Sequence, residues 1–171
     1  MRLGRQFSEP RVWLGGLLAV LLVSVPVSAA EFKTGKEVTI AQDEVIEDDL
    51  YMTGEIMTVK GTVKGDVVAS GKVVRIEGVV EGDVMAAGQA VVIDGEVRDD
   101  VRIAGMTLKL GESASVGDDL FAAGFSFESL NGSQIFGRTS LTGYQALVAG
   151  EHREDLVGSL VALRIDGRVA G

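Results

Sequence analysis

Five aspartates recur at nearly constant spacing: Asp49, Asp66, Asp83, Asp100 and Asp119 stand 17, 17, 17 and 19 residues apart. Asp48, Asp99 and Asp118 sit beside three of them. Carboxylates brought into a column repel one another, and a bound Ca²⁺, which takes hard oxygen ligands, would relieve that repulsion. On this reasoning Asp66, Asp83 and Asp100 are the metal candidates. A plainer use exists for an aspartate that follows glycine at a turn. Its carboxylate accepts a backbone N–H of its own turn and stays hydrated. The turn role is the reading adopted here, and neither metal nor cofactor is expected.

His152 is the single histidine and lies in the charged stretch Gly150-Glu151-His152-Arg153-Glu154-Asp155. One histidine cannot build a three-histidine zinc site, and nothing beside it looks like an oriented nucleophile or acid. It reads as a solvated loop residue. The chain has no cysteine, so thiolate chemistry and disulfides are excluded. A net charge of −9 disfavours nucleic acid and anionic lipid as partners. β-Helical enzymes that cut polysaccharide keep clustered aspartates in clefts walled by long loops, and the turns here are too short for that. No enzyme is expected.

The elements that position these aspartates form a repeat. Residues 65–81 read GDVVASGKVVRIEGVVE and residues 82–98 read GDVMAAGQAVVIDGEVR. With Asp as anchor, the unit recurs at Asp49, Asp66, Asp83, Asp100, Asp119, Arg138 and Asp155. Glycine follows five residues later at Gly54, Gly71, Gly88, Gly105, Gly124 and Gly143, and Leu160 takes that slot in the last unit. A fixed period of this size means stacked structural repeats.

Within a unit the apolar residues alternate. Val67, Ala69, Val74, Ile76 and Val80 share one side, as do Val84, Ala86, Val91, Ile93 and Val97 in the next. Period two with β-branched residues predicts strands. Three short strands per unit, with glycines supplying positive φ at the corners, cannot bury an apolar side alone. Wound as a solenoid they pair in parallel, about 4.8 Å apart. The expected fold is all-β, a right-handed, three-sided parallel β-helix of about seven coils of 17–19 residues. The left-handed hexapeptide helix needs multiples of six, which these periods are not. The two residues that each long coil gains are expected near Gly117 and Gly137. Residues 31–48, with Gly35, Val38 and Ile40, read as a fainter half-coil before the helix proper at 49–171.

These residues resemble the repeat of bactofilins, the polymer-forming cytoskeletal proteins of bacteria. The shared pattern is Gly-Asp-Val/Ile, a small residue two later, then Val-x-Ile-x-Gly-x-Val-x-Gly. Residues 65–84 and 82–101 match it closely, the last coil from Asp155 matches well, and coils five and six match loosely. The resemblance implies a right-handed β-helix that assembles end to end into filaments without nucleotide. Bactofilins are usually cytoplasmic and membrane-associated.

The first 30 residues point elsewhere. Arg2, Arg5 and Arg11 precede an apolar run from Val12 to Val25, followed by Pro26 and the small residues Val27-Ser28-Ala29-Ala30. That is the layout of a signal peptide, with an uncleaved N-terminal membrane anchor as the alternative. The remaining chain is then expected outside the cytoplasm, in the periplasm or at the cell surface.

A parallel β-helix leaves unpaired backbone and an apolar cross-section at each end, edges that proteins normally cover. The last coil carries Leu160, Leu163, Ile165 and Val169 and is the expected self-association surface. The half-coil, with Glu31, Lys33, Lys36, Glu37, Asp43 and Glu44, is expected to be protected by charge. An outward column of Tyr51, Val68, Met85, Phe121 and Val157, interrupted by Arg102 and Ser140, is a second surface. Two functions remain open: a self-assembling scaffold of the cell envelope, or an exported binding module presenting an acidic face to a glycan or partner protein.

Overall fold

The structure is a computed structural model and describes residues 30–170; the expected signal segment lies outside them, save for Ala30. Among the described residues there is no helix. Each turn of the chain is one ten-residue strand followed by one of two residues. The long strands are β1 (Glu31–Ile40), β3 (Leu50–Val59), β5 (Val67–Ile76), β7 (Val84–Ile93), β9 (Val101–Leu110), β11 (Leu120–Ser129), β13 (Thr139–Val148) and β15 (Leu156–Ile165). The short ones are β2 (Val45–Ile46), β4 (Thr62–Val63), β6 (Val79–Val80), β8 (Glu96–Val97), β10 (Ser115–Val116), β12 (Gln134–Ile135), β14 (Glu151–His152) and β16 (Arg168–Val169). Odd and even strands build two separate eight-stranded parallel sheets, each strand pairing with its equivalent one turn along. The fold is a parallel β-solenoid.

Four details differ from the sequence expectation. The solenoid has eight turns, because residues 31–46 make a complete first turn whose β1 pairs along its length with β3. The first two short strands of each unit are one continuous strand. Its buried residues change phase at the glycine, from Val67 and Ala69 to Val74 and Ile76, and Lys72 drops out of the pairing with β7. The chain therefore rounds this corner without interrupting the ladder, and the three sides survive as two arms of a long strand plus a short strand.

The glycine column also has a different cause. Among the described residues Gly132 alone has positive φ, at 105°. From the second turn to the seventh, the column is glycine because the turn beneath leaves no room. A Cβ on Gly71 would stand 2.9 Å from the carbonyl oxygen of Gly54, and one on Gly88 2.6 Å from that of Gly71. At Gly54, Gly105, Gly124 and Gly143 the clash is worse.

Finally, the added residues of the long turns are at the corner before the short strand. Residues 111–114 and 130–133 each close with an N–H donated three residues back, Ala114 to Gly111 and Ser133 to Leu130. Residues 41–44 do the same in the first turn, Glu44 to Ala41. A β-turn fits there because its two central residues (42–43, 112–113 and 131–132) face solvent and need not keep the inward alternation.

The core is where the alternation puts it. Val67, Val74, Ile76, Val80, Val84, Val91, Ile93 and Val97 are fully or almost fully buried. Each such side chain contributes about 1.5–3 kcal/mol, and stacking lets every inner turn share its core with two neighbours.

Candidate functional site

The aspartate column is a ladder of side-chain hydrogen bonds between turns. Asp49 Oδ1 accepts the backbone N–H of Asp66 at 2.9 Å, Asp66 Oδ1 that of Asp83 at 2.9 Å, and Asp83 Oδ1 that of Asp100 at 3.1 Å. Asp100 and Asp119 continue it to the N–H groups of Asp119 and Arg138 at 2.9 and 2.7 Å. The donor belongs to the next turn, not to the aspartate's own as the local turn chemistry suggested. An own-turn motif needs no neighbour; here the neighbour's amide is within reach because the turns stack in register.

Of the metal candidates, Asp83 and Asp100 come together with Asp99, one carboxylate oxygen from each falling within 4.8 Å of the others, and Asp66 stays outside that group. The Asp83 carboxylate, ahead of desolvation and of Asp100, pushes the exposed Asp99 carboxyl above its usual range. The Arg102 guanidinium lies 2.6 Å from Asp83 Oδ2 and also pairs with Asp100. With that cation in place, repulsion in the column does not require a metal ion.

The two ends of the solenoid differ in chemistry. At the N-terminal end Lys33 occupies the slot above Met52 in an otherwise apolar inward column. Its ammonium lies 2.6 Å from Glu44 and 3.2 Å from Glu31. The Glu44 carboxylate holds Lys33 above its usual range, and Lys33 holds Glu44 below the usual carboxylate range. This end is closed by charge.

At the C-terminal end Leu163 and Ile165 continue the columns of Ala146 and Val148, and Val169 continues that of His152. Leu163 and Ile165 are 46% and 48% exposed, whereas Leu160 and Val169 are half-buried against the core. Leu160 replaces the glycine of the column, while the inward slot two residues earlier is Gly158. A Cβ on Gly158 would lie 3.3 Å from Leu160 Cδ1, so the leucine fills the space that the glycine leaves. The four residues read from sequence thus divide, two packed against the core and two exposed at the end. No described strand pairs with the outer edge of β15.

A family model, Bactofilin, described as polymer-forming cytoskeletal, matches residues 38–140. The chain belongs to the bactofilin family. No curated protein and no solved structure matches it. The family match ends at the start of β13, and the last two turns of this bactofilin continue the same register beyond it.

Those last turns hold the residue that sequence reasoning misplaced. His152 is not a solvated loop residue. It is 0% exposed, in the short-strand column that Ile135 precedes and Val169 follows. Its Nδ1 lies 2.7 Å from Thr139 Oγ1 and its Nε2 3.2 Å from Ser129 Oγ, two hydroxyls that are themselves buried. Burial pushes the imidazole down to about 4. Counting fourteen residues from the unit's anchor, the offset that places Val80 and Val97 inward, also places His152 inward. The imidazole and the two hydroxyls form a buried polar cluster within the core.

Proposed function

We propose that this bactofilin is a non-enzymatic scaffold of the bacterial cell envelope that polymerises through its coil ends. The observation that carries the reading is the exposed apolar coil end of a chain whose family is polymer-forming, and the two ends present different chemistry. A charged Lys33–Glu44 pair closes one, while Leu163 and Ile165 stand exposed at the other. Burying that apolar cross-section and extending the ladder of β15 both favour contact with another copy. Head-to-tail contact yields open polymers, and two-fold contact at one end alone stops at a dimer. The partner is the chain itself.

Location outside the cytoplasm rests on residues 1–30, with membrane attachment through that segment as the variant in which it is not removed. Electron microscopy of the purified protein over a concentration series tests the scaffold, which requires filaments that lengthen with concentration. Mass spectrometry of the cell-derived protein tests the location. A chain starting at Ala30 or Glu31 supports export, and one starting at Met1 overturns cleavage.

A further inference from the structure

From the second turn onward, three inward columns are aliphatic at every rung but one, and the three exceptions meet. The short-strand column is valine or isoleucine from Ile46 to Ile135, then His152, then Val169. The column that opens each long strand is leucine or valine from Leu50 to Leu120 and becomes Thr139 in β13. The column that closes it is aliphatic from Ile40 to Leu110 and becomes Ser129 in β11. All three polar residues are 0% exposed, and the two hydroxyls sit one at each ring nitrogen of His152. Aliphatic side chains fill these slots everywhere else, so core packing alone does not call for the cluster.

The cluster lies directly beneath the last turn. Only β16 follows β14 in its sheet, and the half-buried Val169 is the rung that covers His152. In a stack of repeats each unit contacts only its neighbours, so an end turn is held by one interface and can open without the rest. This one is lightly held, since Leu156 and Leu160 alone are partly buried along β15. Among the described residues no charged group faces the imidazole. Glu128 on β11, Glu151 on β14, Arg164 on β15 and Arg168 on β16 are partly or fully exposed. β12 has no titratable residue, and Tyr144 of β13 is exposed. Arg138, Arg153, Glu154, Asp155 and Asp166 at the corners are exposed too. The two hydroxyls can accept from both ring N–H groups. A protonated imidazole would therefore keep its hydrogen bonds but leave a charge in the core without a counter-charge.

We propose that His152, with Thr139 and Ser129, is an acid-operated latch on the last turn, whose protonation releases β15 and β16 and with them the surface that joins one copy to another. Closure of the turn and binding of the proton exclude each other, because the charge is hydrated only when the turn lifts. Leu163, Ile165 and the unpaired edge of β15 leave with that turn. The proposal rests on the end-to-end contact proposed above and adds its regulation. Between the ordinary 6.5 and about 4, each pH unit favours the open turn by up to about tenfold. Acid also shrinks the net charge of −9, which by itself promotes association. Loss of assembly in acid is thus opposite to the effect of surface charge.

The test compares the parent with His152→Val, the residue of the Val80 and Val97 rungs, and with His152→Gln, which keeps a donor and an acceptor but does not titrate. Amide hydrogen exchange, corrected for the intrinsic rate, is followed at pH 7.5 and 5.5, with light scattering over a concentration series at both. In the parent, protection of residues 156–170 should fall up to about tenfold at pH 5.5 while that of β7 and β9 holds. The concentration needed for assembly should rise severalfold, and in the folded variants neither quantity should show this acid loss. Protection of the last turn that does not change with pH overturns the proposal, as does an equal loss in both variants or an equal loss in every turn. Opening of the last turn with assembly unchanged overturns its control of the contact. A parent that does not assemble at pH 7.5 overturns the end-to-end reading and the regulation with it, and exchange then still decides whether His152 holds the turn.

Discussion

His152 Nδ1 lies 2.7 Å from Thr139 Oγ1, inside a column whose neighbouring rungs are Ile135 and Val169. The folded imidazole titrates at about 4, below its ordinary 6.5, because burial disfavours the charged form. The unfolded chain therefore binds a proton first as pH falls. Stability from this residue is intact above about 6.5, declines between 6.5 and about 4, and levels below. The full difference is about 3 kcal/mol. Denaturant titrations at pH 7 and pH 4 should show the parent losing about that much more than His152→Val. Equal losses in the two proteins contradict the buried neutral imidazole.

Val91→Asp places an unpaired carboxylate in the middle of the core, where Val91 is fully buried. An uncompensated buried charge costs several kcal/mol, comparable with total stability. Cooperative thermal unfolding should disappear, whereas Val92→Asp, one residue on and facing out, should melt within a few degrees of the parent. Reversed outcomes would place the register off by one.

Two glycines of one column should respond differently to alanine. In Gly143→Ala the new Cβ runs into the carbonyl oxygen of Gly124, backbone that cannot give way. In Gly35→Ala the nearest atom is Val38 Cγ2 at 3.3 Å, a side chain that can shift. Overpacking should destabilise the first by about 1–3 kcal/mol or more and leave the second near the parent. Calorimetry checks this; similar melting of both would mean that conformation, not the turn beneath, selects glycine.

The aspartate ladder predicts that Asp83→Ala, which leaves the Asp100 N–H without its 3.1 Å acceptor, lowers stability by about 1 kcal/mol. Asp83→Asn keeps an oxygen acceptor and should lie closer to the parent. Neither Ca²⁺ nor a chelator should move the melting temperature. A Ca²⁺-dependent rise lost in both variants would restore the cation reading of Asp83 and Asp100.

Much of this was legible in the residues. The spacing of Asp66, Gly71 and Val74 to their successors sets the solenoid and its register, and the alternation names the inward columns. What one unit could not reveal was its contact with the next. The Asp66 carboxylate reaches the following turn, and the glycines yield to carbonyls of the preceding one, so neither cause is visible within a single repeat. His152 was hidden for another reason. Glu151, Arg153 and Glu154 surround it with charge, and local polarity outweighed the fourteen-residue offset that placed it inside. At the C-terminal end the spacing identified Leu160, Leu163, Ile165 and Val169 as a group. Only their packing separates the half-buried pair from the exposed one.

The central claim is that the apolar C-terminal coil end joins one copy to another. Light scattering of the parent and of Leu163→Asp/Ile165→Asp, over a dilution series and at matched circular dichroism, tests it most directly. The account predicts a parent whose mass grows with concentration and a folded variant that stays monomeric, because two carboxylates per end repel and cannot be buried. A parent that is monomeric throughout, or a folded variant that assembles as the parent does, would contradict it.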